Sequence, residues 1–231
     1  VGYQAMVANT TGAKNTSVGQ DALQANTTAS ENTAVGYAAL NANTTGFDLV
    51  AVGAQSLEAN TVGHHNTGLG YKALEANTTG SNNTAVGKQA LGANTTGGEN
   101  VAIGFRALDA NTTGAGNVAI GNSALGQTTI SDNIAVGHLA LAVNTTGYIN
   151  IGIGNSALGS NTTGALNTAV GYYALASCST GTENTAVGQR SLKSVTTGVQ
   201  NTAVGGGTLQ NNTGNNNTAI GRDALIQNTT G

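Results

Sequence analysis

NTAVGYAALNANTTGFD, residues Asn32–Asp48, is followed along the chain by near copies of itself, among them NTAVGKQALGANTTGGE from Asn83 and NTAVGYYALASCSTGTE from Asn167. The aliphatic residue before the recurrent glycine sets the register. Val1, Val18, Val35, Val52, Leu69, Val86, Ile103 and Ile120 are spaced by 17 each time. Val136, Ile153, Val170, Val187, Val204 and Ile220 continue the series, with steps of 16 only at Val136 and Ile220. The chain is therefore fourteen copies of N-T-A-V-G-x-x-A-L-x-x-N-T-T-G-x-x, whose positions are called places one to seventeen below.

A fixed period of this length marks a stacked repeat architecture. Glycine holds place five in every copy, from Gly2 to Gly221, and place fifteen in nearly every copy. Such columns mark turns that need positive φ or close backbone approach. Two short runs between two turns describe one coil of a parallel β-solenoid; a helical repeat needs longer segments and fewer glycines. At a strand spacing of about 4.8 Å, fourteen coils reach roughly 65 Å. The expected architecture is all-β, one uninterrupted array over residues 1–231, read as a segment of a longer fibre.

Alternation along a strand assigns an inside and an outside. Place two exchanges Thr for Val101, Val118, Ile134 and Ile151, and place four is always aliphatic, so both are expected to face the core. Place three then faces out. In the second run, Cys178 and Val195 replace Asn at place twelve and Val62 replaces Thr at place fourteen, so these places are also expected inside, with place thirteen outside. Leu at place nine closes the core. On this reading Ala34, Ala51, Ala85, Ala102, Ala119, Ala135, Ala169, Ala186, Ala203 and Ala219 form an outward stripe of small residues, a candidate self-association face.

Composition bounds the function. The 231 residues are 7% charged and 3% aromatic, with no Pro or Trp and a net charge of −3, so nothing forms a basic stripe for nucleic acid. No apolar run is long enough to cross a membrane as a helix, and the reading expects no direct membrane insertion. Cys178 is the only cysteine, which removes any internal disulfide framework.

NVAIG at Asn100–Gly104 and Asn117–Gly121, with NIAVG at Asn133–Gly137, resembles the head repeats of trimeric autotransporter adhesins. The longer NTAVGYxAL…NTTG unit is similar to repeats of phage-type tail-fibre proteins. The resemblance implies a left-handed β-roll in a homotrimer. It does not supply the second turn, because the period of 17 exceeds that usual for adhesin heads.

No constellation of catalytic residues is legible. GLGYKA from Gly68 lacks the third glycine of a dinucleotide loop, and no P-loop or recurrent Asp column is present. The expectation is no enzyme, no cofactor and no metal. His64 and His65, with Asp48 one coil earlier, read as solvated turn residues. N-T-T matches a glycosylation sequon at Asn9, Asn26, Asn43, Asn77, Asn94, Asn111, Asn144, Asn161 and Asn228, and is read instead as an inward ladder. Place six carries a ring on every second coil, Tyr3, Tyr37, Tyr71, Phe105, His138 and Tyr172, a candidate ladder for contact with a glycan or another surface.

These features favour a non-enzymatic structural or adhesive rod in an extracellular fibre, on a bacterial cell surface or as a phage-type tail-fibre shaft. Its partners are expected to be itself, as a homotrimer or an end-to-end filament, and a glycan or host surface. A rival of a different class is ice binding through the outward Thr column at place thirteen.

Overall fold

The computed structural model describes residues 1–229. The chain forms a parallel β-solenoid of coils about one repeat long and divides into two compact units, Val1–Gly116 and Asn117–Gly231. Each repeat from the second on contributes one strand of three residues, places two to four. The first unit holds β1 (Thr16–Val18), β2 (Thr33–Val35), β3 (Val50–Val52), β4 (Thr67–Leu69), β5 (Thr84–Val86) and β6 (Val101–Ile103). The second holds β7 (Val118–Ile120), β8 (Ile134–Val136), β9 (Ile151–Ile153), β10 (Thr168–Val170), β11 (Thr185–Val187), β12 (Thr202–Val204) and β13 (Thr218–Ile220). Within each unit every strand pairs in parallel with the next, place on place: Thr84↔Val101, Ala85↔Ala102, Val86↔Ile103. Register survives both short repeats, as in Val118↔Ile134 and Thr202↔Thr218, so the missing residue is absorbed in a turn.

The second strand expected at places twelve to fourteen does not form. There the N–H groups of both Thr44 and Thr45 donate to the carbonyl of Thr61, at 3.0 and 3.2 Å. Two donors converging on one acceptor bend the chain where a ladder would give each donor its own.

The assignment of inside and outside at the strand is the reverse of the expectation. The place-three alanines expected on a self-association face, Ala34, Ala51, Ala85, Ala102, Ala119, Ala135, Ala169, Ala186 and Ala203, are fully buried, and Ala219 is 7% exposed. They line the interior of their own coil and offer no surface to a partner. Their outward neighbours at place four include Val18, Val52, Leu69 and Ile103, half-buried or exposed. Place fourteen also faces out, with Val62 46% exposed. The physical reason is strand chemistry. Thr–Val–Ile exchange marks a β-branched position on a pleated face as readily as a buried one. Uniform smallness marks a place without room. A methyl built at Gly68 would lie 2.5 Å from Ser56 Oγ, and one at Gly152 would lie 3.3 Å from Leu141 Cδ1. Ser56, the larger residue at place eight, faces the glycine at place three of the next coil and donates to its carbonyl at 2.9 Å.

The core of a coil is then Ala at places three and eight, Leu at place nine, and Asn at places one and twelve. Leu91 and Leu108 are fully buried, as are Asn83, Asn94, Asn100 and Asn111. Buried amides need partners, and the two Asn columns supply them. Asn94 Nδ2 donates to Asn77 Oδ1 of the preceding coil at 2.8 Å and to its own Gly97 carbonyl at 2.9 Å. Asn83 Nδ2 reaches the same carbonyl from place one at 2.9 Å. Asn83 Oδ1 accepts from the backbone N–H and the side-chain amide of Asn100, both at 3.1 Å. Gly97 thus ties both ends of its coil across the interior, and a Cβ there would meet Gly114 O at 2.3 Å.

Positive φ is not confined to glycine. Gln89 at place seven, Leu91 at place nine and Glu99 at place seventeen have φ of 57°, 53° and 61°, and the same places repeat this in other coils. Left-handed backbone in an L-residue costs about 1–2 kcal/mol. At Leu91 that cost is offset by burial of the side chain and by an N–H bond to Ala107 O on the next coil at 2.9 Å.

Candidate interaction surfaces

The outward side of the strands exposes a row of aliphatic side chains. In the first unit Val18, Leu69 and Ile103 at place four are exposed by 38–45%. In the second unit Ile120, Ile153, Val187 and Val204 are exposed by 36–39%. Because the register is place on place, these side chains stack into a stripe with Thr or a β-branched aliphatic such as Val50 beside them at place two. Contiguous apolar patches beyond a few hundred Å² mark interaction surfaces.

The place-six rings flank this stripe. Tyr37, Tyr71, Phe105 and Tyr172 are 43–52% exposed, Tyr3 is more so, and His138 is exposed. They do not form one continuous stack. In the first unit Lys88 sits between two of them, its Nζ 5.8 Å from the Tyr71 ring centre and 5.9 Å from that of Phe105. In the second, Tyr172 packs edge-on against Tyr173 at 4.3 Å, and its hydroxyl is held above the ordinary phenol range first by the hydrogen bond with Tyr173.

The turn histidines meet each other and their neighbours. His64 stacks on Phe47 with ring centres 5.0 Å apart, and its Nδ1 lies 3.3 Å from Ser81 Oγ. His65 Nε2 lies 3.3 Å from Asp48 Oδ2. Among the described residues no group of three or more His, Cys, Asp or Glu side chains could hold a metal ion. No helix among them is long and apolar enough to cross a membrane.

The Thr column at place thirteen is occupied from within. Thr44, Thr61, Thr78 and Thr95 each donate the hydroxyl proton to the place-thirteen carbonyl of the next coil at 3.0–3.1 Å. The sequon asparagines of place twelve are equally committed: Asn26, Asn43, Asn77, Asn94, Asn111, Asn144 and Asn161 are fully buried and hydrogen-bonded. An enzyme attaching a sugar cannot reach these amides in the folded coil. Sequence reasoning found this ladder through Val195 and Cys178, apolar residues at the same place.

Cys178 leaves a mark on the ladder. It replaces the asparagine whose amide would reach back one coil, and Asn161 Oδ1 is left buried without a partner. Its thiol contacts the Gly181 carbonyl, at 3.7 Å, and burial pushes its pKa up to about 11. Restoring the amide with Cys178→Asn supplies two hydrogen bonds, to Asn161 Oδ1 and Gly181 O. An expected gain of about 1–2 kcal/mol is read as a rise in melting temperature; a fall means the site has no room for the amide.

Comparison with protein-family models, with curated proteins and with solved structures finds no match to this chain.

Proposed function

We propose that this chain is a non-enzymatic structural and adhesive segment of an extracellular fibre, of the bacterial cell-surface or tail-fibre kind, in which copies pack through the outward faces of their sheets. The observation that carries the reading is the stripe of exposed Val, Ile and Leu repeated at place four. A second copy presents the same columns at the same spacing, so the faces mesh in register without any new recognition element. A homotrimer is the assembly implied by the resemblance to adhesin heads. The burial of the alanines moves the expected interface from place three to places two and four. The rings at place six then border the interface and remain available to a further surface.

The test is mass in solution. The wild-type chain is expected to sediment as a multiple of its own mass. Val86→Asp with Ile103→Asp places two carboxylates on the outward face and should reduce the mass to that of one chain while the far-ultraviolet dichroism stays unchanged. A wild-type chain that is monomeric at every concentration, or an assembly that survives both substitutions, overturns the proposal.

A further inference from the structure

Within the second unit, a groove of about 400 Å³ opens along places seven, ten and eleven of successive coils. Its walls are Leu139 and Tyr173, both at place seven, two coils apart, with the small Ser156 between them. Ser160 and Ser177 at place eleven and Lys193 at place ten also line it. A volume of this size lies within the range of small-molecule sites, about 300–1,000 Å³. The groove exists because the bulky Leu139 and Tyr173 stand on either side of the small Ser156 in the place-seven column.

Charge at its mouth is unusual for this chain. Lys14 pairs with Glu31 at 2.6 Å, Lys72 with Glu75 at 2.8 Å, Arg106 with Asp109 at 2.7 Å and Arg222 with Asp223 at 3.5 Å. Lys88 is caged by two rings. Arg190 and Lys193 are left, and among the described residues no carboxylate lies within ion-pair distance of either. Their places explain this. Lys72–Glu75 and Arg106–Asp109 are both pairs of places seven and ten, a cation facing a carboxylate on the same turn. On the coil Asn184–Gln200 the same two places are Arg190 and Lys193, so a second cation stands where the carboxylate belongs. Lys193 Nζ is held 5.9 Å from the Tyr173 ring centre, directly at the groove.

We propose that this groove binds a sugar bearing a carboxylate, an acidic pyranose. The carboxylate pairs with the Lys193 ammonium, which lines the groove and has no carboxylate partner among the described residues. The Tyr173 ring offers an apolar face to the ring C–H groups. The hydroxyls of Ser160 and Ser177, which make no side-chain hydrogen bond among the described residues, pair with sugar hydroxyls. A simple inorganic anion would use the Lys193 ammonium alone and leave the ring and the serines idle. The site deepens the adhesive half of the function proposed above and rests on it only for its biological meaning.

The full chain is titrated with methyl glucuronide, methyl glucoside and acetate, followed by ligand-observed saturation transfer. Methyl glucuronide is expected to bind saturably and at least about tenfold more tightly than either control. Lys193→Gln should bring it down to the level of the glucoside, and Tyr173→Ala should weaken both sugars about tenfold or more. Lys88→Gln, outside the groove, should change nothing. Absence of saturable glucuronide binding, acetate binding as well as glucuronide, or an unchanged Lys193→Gln each overturns the site. Sedimentation of the same samples keeps the two ideas apart: lost sugar binding with an intact assembly counts against the groove alone.

Discussion

Ala102→Asp should lower the melting temperature of the chain by roughly 10 °C or more, while Val86→Asp, on the outward face one coil earlier, should leave the fold of the dilute protein nearly unchanged. Ala102 is fully buried, in a column where the interior leaves room for one methyl. A carboxylate there must either ionise without a partner or hold its proton, and it must also displace the neighbouring leucine layer. Burying an unpartnered polar group costs about 1–3 kcal/mol and overpacking about 1–3 kcal/mol more; for a chain of this size each kcal/mol moves the midpoint by about 2–4 °C. The deficit depends on pH in a defined direction. Burial raises the folded-state pKa of the new carboxyl above its unfolded value of about 3.9. The deficit is therefore smallest below that value, where both states carry the proton. It grows as pH rises and reaches its plateau above the folded pKa. Thermal melts at acid and neutral pH check both magnitude and sign. Equal melting shifts for the two variants would mean that the strand faces are not distinguished as described.

Gly87→Ala should be strongly destabilising although it adds a single methyl. Gly87 has φ of 131°, a conformation open in practice to glycine, and a Cβ there would lie 2.5 Å from Gly104 O and 2.7 Å from Gly104 C. Those atoms are backbone of the next coil and cannot rotate away. The coils would have to separate where Gly104 N–H donates to Val86 O at 2.8 Å. Strain of this kind costs of order 1–3 kcal/mol before the lost hydrogen bonds are added. Gly206→Ala is the matched control: its φ is not positive and the nearest atom to an added methyl is Gln189 O at 3.9 Å. It should be neutral or slightly stabilising, because alanine narrows the unfolded ensemble. A chemical-denaturation series separates the two; a Gly87→Ala chain as stable as wild type would contradict the close coil contact.

The period of 17, the parallel solenoid and the inward Asn at place twelve were legible because each is written many times, so that exceptions such as Val195 and Cys178 test the rule. The strand faces were not legible from the same logic. At place two, threonines such as Thr84 alternate with Val101 and Ile134 because the outer face of a sheet favours branched side chains, and that pattern imitates a core. At place three the informative feature is the absence of anything larger than alanine or serine. In sequence this imitates a surface that partners approach, whereas in the coil the neighbouring leucines already fill the space. The turns hid a second fact. Leu91 and Gln89 adopt positive φ without being glycine, a conformation that composition does not advertise and that inter-coil N–H bonds sustain. The groove at Tyr173 was equally silent, since it depends on which residues stack two coils apart. The missing carboxylate opposite Arg190 emerges only when places seven and ten are known to face each other.

Place three points into the coil and place four points out of it, and on this the whole description of core and surface depends. Thiol labelling tests it most directly, with Ala85→Cys and Val86→Cys made separately in a Cys178→Ser background and exposed to a maleimide under native conditions. The thiol at position 85 is expected to be protected at every protein concentration until the chain unfolds. The thiol at position 86 should label quickly in dilute protein and more slowly only as copies associate. Rapid labelling at position 85 in the folded chain, or protection at position 86 at every dilution, would contradict this arrangement of the strand.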